Sequence, residues 1–141
     1  MGEQGRPKNE DVLYKQCQVN FTAYNSVVNG FDKAEPWVAT PFHHYLCQKV
    51  QKFIEEETTN PYDVLLINTP PQHGKSLTIS ETLPSWYLGK FPEKRVLEVS
   101  YNTDFAEKFG KRNRDKVKEW GGKIFGIQLS TSTTSAKEWE L

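Results

Sequence analysis

The chain has 141 residues, with eighteen Lys and Arg against eighteen Asp and Glu, so its net charge at neutral pH is zero. That balance supplies no global field to draw it onto nucleic acid or a membrane surface, and no apolar run approaches the ~20 residues of a membrane span. A hydrophobic share of 36% predicts a thin core, while four Trp, six Tyr and eight Phe argue against a disordered chain. The opening Met1-Gly-Glu-Gln-Gly-Arg6 has neither the basic start nor the apolar stretch of a signal peptide. Arg6 stands where a myristoylated terminus needs Ser or Thr, so modification at Gly2 is not expected. Cys17 and Cys47 are far apart and form neither Cys-x-x-Cys nor a zinc spacing. A soluble intracellular chain with two ordinary thiols is expected.

Residues 1–35 are polar and read as a loosely attached arm with one short helix from Glu10 to Gln18. Thr40 then caps a helix with Pro41 in its first position, where a missing N–H costs nothing. Phe42, Tyr45, Leu46, Val50, Phe53 and Ile54 recur at helical spacing and define its buried face. After a turn at 60–63, Val64-Leu65-Leu66-Ile67 reads as a strand covered on both faces. The loop Thr69 to Gly74 follows, a helix starts near Lys75, and Pro84 breaks or kinks it around Leu83. Trp86-Tyr87-Leu88-Gly89 makes a short helical finish, with Trp86 expected against the sheet or the helix from Pro41. Arg95 to Tyr101 reads as a second strand. Asn102 or Thr103 caps a helix carrying Phe105, Phe109, Val117 and Trp120 and stopping at Gly121-Gly122. Beyond Lys123 the chain is irregular, and Ala136 to Leu141 reads as the start of a third strand. Strand, loop, helix, strand, helix predicts an α/β fold whose last strands are missing.

The segment that carries chemistry is Thr69-Pro70-Pro71-Gln72-His73-Gly74-Lys75-Ser76. Set against the phosphate-loop pattern G-x-x-x-x-G-K-[S/T], it keeps Gly74, Lys75 and Ser76 and has Thr69 in place of the first Gly. Gly74 lets the backbone approach a phosphate without a Cβ in the way, and backbone N–H groups from about Gln72 to Ser76 point at the anion. Lys75 brings positive charge to the β- and γ-phosphates, and the Ser76 hydroxyl is offered to Mg²⁺.

Leu65 to Ser76, Leu83 to Gly89 and Arg95 to Asn102, followed by Phe105 to Arg114, resemble the large terminase subunit of tailed bacteriophages, the ATP-driven motor and nuclease that packages phage DNA. Its loop commonly reads Pro-Pro-x-His-Gly-Lys-Ser, as Pro70 to Ser76 do, often with Arg where this chain has Gln72. The resemblance covers roughly residues 36–141. It implies a partial P-loop NTPase fold of the RecA-like (ASCE) type, truncated before the Walker B strand, with residues 1–35 as a separate arm. It also implies ATP and Mg²⁺ as cofactors. In the full-length family the partners are viral double-stranded DNA, the small terminase subunit and the portal, in the cytoplasm of the bacterial host and away from membranes. Trp37, Pro41, Phe42 and His43 resemble the region beside the adenine, and His73 reads as a loop-shaping residue.

The charges Lys108, Lys111, Arg112, Arg114, Lys116 and Lys118 are offset by Glu107, Asp115 and Glu119 and read as a solvated helix face. No apolar run after Ser76 ends in paired carboxylates, and neither Glu98 nor Asp104 fits that role. Together with Met1, this reads as an amino-terminal piece that binds nucleotide, turns over ATP near background and lacks a nuclease. Two unpaired strand edges predict low stability and self-association. Another P-loop NTPase, helicase-like or kinase-like, is one alternative; a non-catalytic remnant acting as a binding or assembly module is another.

Overall fold

The computed structural model describes residues 8–31, 33–133, 135 and 137–141, and it is built from helices. They are α1 (Lys8–Val19), α2 (Phe21–Gly30), α3 (Pro41–Glu55), α4 (Lys75–Thr78), α5 (Leu83–Lys90), α6 (Thr103–Lys116), a π-helical turn (Val117–Gly121) and α7 (Gly122–Ile124). Residues 1–7, and with them the reading of Gly2, lie outside the described residues, as does Ala136 at the head of the expected third strand.

The expected α/β fold, a partial RecA-like P-loop sheet, does not form. Among the described residues the β-type pairing is an isolated bridge at Trp139, and no sheet is present. Residues 64–67 and 95–100 form no strand, because a strand needs a hydrogen-bonded neighbour and neither stretch has one. Their side chains show the consequence: Val64, Leu66, Leu97 and Val99 are each about four-fifths exposed. The apolar runs were expected to be buried strands, and they are neither paired nor, for the most part, buried.

The core instead sits among helices, and much of it comes from the stretch expected to be a loose arm. Tyr14 and Cys17 on α1 and Phe21, Tyr24, Val27 and Val28 on α2 are buried with Leu46, Cys47 and Val50 on α3, Trp86 on α5, and Trp120 and Ile124. α1 and α2 meet at a corner with no room for a loop. Asn20 caps α2 by accepting from the Ala23 N–H at 3.0 Å. The last carbonyls of α1 find no partner within their own helix. Trp86 Nε1–H donates to the Cys17 carbonyl at 2.8 Å, and Gln51 Nε2–H of α3 donates to the Val19 carbonyl at 2.7 Å. The same Gln51 accepts from the Phe21 N–H at 3.0 Å, so one amide serves the end of α1 and the start of α2.

α3 runs as expected from Thr40 and Pro41, although Tyr45 faces outward at 62% exposure. The helix from Lys75 is interrupted, but earlier than expected: it ends at Thr78, and Pro84 lies in the first turn of α5 rather than at a kink. Trp86 packs on Phe21 with ring centroids 5.1 Å apart, so its principal partners are α1 and α2 and not a sheet. The last helix does not stop at Gly121-Gly122. It widens through the π-turn and continues to Ile124, and Gly126 (φ 72°) then turns the chain back. A Cβ on Gly121 would lie 3.1 Å from Ile127 Cγ1, so glycine is what lets the returning chain close on the helix.

Trp86 is fully buried and donates a buried hydrogen bond. Trp86→Ala is expected to lower unfolding free energy by about 3–5 kcal/mol, the range for emptying a large aromatic site. Trp86→Phe should cost less, losing mainly the donor to Cys17. Urea unfolding followed by circular dichroism measures both; a loss under about 1 kcal/mol for the alanine variant would refute this account.

Candidate functional site

The loop at 69–76 is shaped by two left-handed residues. Gln72 has φ 62° and Gly74 has φ 73°, the second at the start of α4. Left-handed backbone is open to glycine but strained for Gln72. His73 Nδ1–H donates to the Pro71 carbonyl at 2.8 Å and closes the turn. Pro70, Pro71, Gln72, His73, Lys75 and Ser76 are exposed, while Thr69 and Gly74 are half-buried. Thr69 Oγ1 is buried without a hydrogen-bond partner. Lys75 and Ser76, one and two residues beyond the left-handed glycine, are therefore both open to solvent.

Of the four residues expected near an adenine, Phe42 and His43 lie beside this loop. Trp37 and Phe42 meet the His43 ring edge-on, at 5.1 and 5.5 Å between centroids, and the Phe42 ring stands 6.1 Å from that of His73. His43 contacts the loop itself: its Nε2–H donates to the His73 carbonyl at 3.1 Å. Pro41 is exposed at the first position of α3 and has no comparable contact with the loop. The Trp37 indole nitrogen is buried and without a partner. Among the described residues no group of three or more His, Cys, Asp or Glu side chains could hold a metal ion. The two cysteines are buried, and burial pushes Cys17 up to about 12 and Cys47 up to about 11, which leaves them inert thiols.

The basic helix face is partly neutralised. Arg112 pairs with the buried Glu81, Arg114 with Asp115, and Lys137 with Glu107. Burial pulls Lys116 down to about 8; Glu81 draws it back up, while Lys33 and Arg112 oppose that. Lys108, Lys111 and Lys118 remain exposed.

Sequence reasoning missed Asn113. It is fully buried on α6 and donates through Nδ2 to the Ser80 carbonyl at 2.7 Å, the Phe109 carbonyl at 3.0 Å and Glu98 Oε2 at 3.3 Å. Its Oδ1 accepts from the Ser85 N–H at 3.2 Å. Asn25 and Asn29 do similar work on α2. Asparagine in the middle of a helix is a weak signal for such a role, since it is a poor helix former unless its amide is used. Glu98 is thereby held against the helices rather than placed at the end of a strand.

A scan against protein-family models matches none, and comparisons with curated proteins and with solved structures also give no match. No helix among the described residues is long and apolar enough to cross a membrane.

Burial pushes Glu98 from its ordinary 4.5 up to about 7; the bond from Asn113 opposes the rise and the Glu81 carboxylate adds to it. An acid raised on folding favours the folded state most when protonated. Its contribution is complete below pH 4.5 and is lost as the pH climbs through about 7. Wild type should therefore lose stability relative to Glu98→Gln between pH 5 and 8. Parallel urea melts of the two proteins check this; curves that stay parallel across the range would contradict it.

Proposed function

We propose that this chain binds Mg²⁺-ATP through the loop Thr69–Ser76, as the nucleotide-binding part of a phage DNA-packaging motor of the large terminase type. The observation that carries the reading is the loop's own geometry: Gly74 in the left-handed region, followed directly by exposed Lys75 and Ser76. Backbone N–H groups at a left-handed turn can face a phosphate, an ammonium beside them neutralises the phosphate charge, and a hydroxyl next to that can reach a bound cation. The aromatic residues Phe42 and His43 beside the loop, with Trp37 against His43, support a base-binding side to the same site. Double-stranded viral DNA, a small terminase subunit and a portal belong to this proposal as partners, and the cytoplasm of a bacterial host as its place of action. They rest on the resemblance of residues 36–141.

The exposed apolar runs favour a second reading, an assembly module that self-associates or docks a partner without using nucleotide. Val64, Leu66, Leu97, Val99 and Tyr101 are each largely exposed, and apolar runs left open in this way are available to a partner.

Calorimetry with Mg²⁺-ATP separates the two. Wild type is expected to bind, and Lys75→Ala to lose binding, because that change deletes the charge aimed at the phosphates. Equal binding by the two proteins, or none by a folded wild type, would remove the nucleotide reading and leave the assembly module.

A further inference from the structure

His43 joins two parts of the chain through one imidazole. Nδ1 faces Thr40, 3.3 Å from its backbone nitrogen and 2.9 Å from Oγ1, and Nε2 faces the His73 carbonyl at 3.1 Å. These partners settle the tautomer. A backbone N–H can only donate, so Nδ1 accepts from Thr40; the ring proton then sits on Nε2, which makes Nε2–H the donor to His73. Accepting at one end creates the donor at the other. The same Nε2 would lie 2.9 Å from a Cβ on Gly74, so the ring is seated directly against the loop's bare glycine. Trp37 and Phe42 hold it edge-on from two sides.

Within the loop, the bond from His73 to the Pro71 carbonyl is internal and restrains the turn without anchoring it. The bond from His43 reaches the loop from outside. A non-glycine residue such as Gln72 stays left-handed only where its surroundings over-determine the backbone. We infer that His43 is a positioning residue: it holds loop 70–74 in the conformation that receives phosphate and ties that conformation to the capped start of α3. The inference rests on the phosphate-loop reading. Because both ring nitrogens are engaged, His43 acts on the phosphate side through the loop backbone and not by a hydrogen bond of its own to the ligand. Without it the loop samples other conformations, and apparent affinity falls in proportion to the fraction left competent.

Four variants test this. His43→Ala should exchange the amide hydrogens of residues 73–78 about tenfold faster in the free chain, and bind Mg²⁺-ATP about tenfold more weakly. His43→Gln can accept from the Thr40 N–H through Oε1 and donate through Nε2, and should recover part of both losses. Lys75→Ala should lose binding while its loop exchanges as in wild type, a separation that a merely structural fault would not give. Gly74→Ala should weaken binding less in a His43→Ala background than in wild type, because the Cβ then has no imidazole to strike. If His43→Ala binds and exchanges like wild type while Lys75→Ala loses binding, the inference falls and the phosphate site stands. If Lys75→Ala binds like wild type, the phosphate reading falls, and the exchange measurement alone judges the tie. Should His43→Ala not fold, His43→Gln against Gly74→Ala decides: full additivity of their binding losses would overturn the coupling.

Discussion

The corner between α1 and α2 is the constraint on which the rest of the structure depends. Two helices joined through a single residue leave carbonyls at the end of the first and N–H groups at the start of the second, and burying them unpaired would cost more than the corner gains. Gln51 from α3 and Trp86 from α5 answer this from two directions. Each is a long side chain with a polar tip, so the contact that satisfies the backbone also packs its own helix onto the corner. Gln18 Nε2–H at the end of α1 performs the reverse service, donating to the Ile124 carbonyl at the end of α7. Helices distant in the chain thus assemble by capping one another, which suits a chain whose hydrophobic share is only 36%.

A polar spine runs through the same core. Tyr24 Oη–H donates to Ser85 Oγ at 2.9 Å, Ser85 donates to the Thr82 carbonyl at 2.7 Å, and Thr82 donates to the Leu77 carbonyl at 2.6 Å. Asn29 joins Thr82 to α2 at 3.1 Å, and Asn113 joins Ser85 and Ser80 to α6. The break between α4 and α5 is therefore a built feature. The helical ladder stops at Thr78, and Thr82 and Asn113 collect the carbonyls it releases. Such a network fixes register as well as contributing energy, since a shifted helix would leave several buried groups unpaired at once.

How much of this was legible in the sequence follows from the range of each interaction. The start of α3 was readable because Thr40 and Pro41 act locally, and the cap of α6 because Asn102 accepts from the Asp104 N–H two residues away. The loop residues Gly74, Lys75 and Ser76 were readable for the same reason: their spacing is the signal. The arm was misjudged because α1 buries a narrow face, Tyr14 and Cys17, and because α2 buries the polar Asn25 and Asn29 beside Phe21, Tyr24, Val27 and Val28, so polarity did not mark exposure. The sheet was misjudged because an apolar run records a capacity for burial and cannot say whether a partner strand arrives. Val64 to Ile67 met the local requirement of a strand and lacked the non-local one. His43 was placed near the nucleotide by resemblance, but its bonds to Thr40 and His73 depend on a rotamer and a tautomer that no spacing encodes.

The absence of a sheet changes what can hold a phosphate loop in place. Where a loop leaves a paired strand, the strand's ladder fixes one end and the helix fixes the other. Here α4 is one turn long and the stretch before the loop has no ladder, so neither end is rigid through its own hydrogen bonds. A lateral source of order is the first turn of α3, where the Thr40–His43 cap seats the imidazole against Gly74. Order supplied through one imidazole is easier to lose than order supplied through a ladder of backbone bonds. A loop held this way sits near the low end of local stability, and on the proposed reading a phosphate would bind it more weakly whenever His43 is unseated. On that reading the order of the loop depends in part on α3 and its cap, some thirty residues before Lys75.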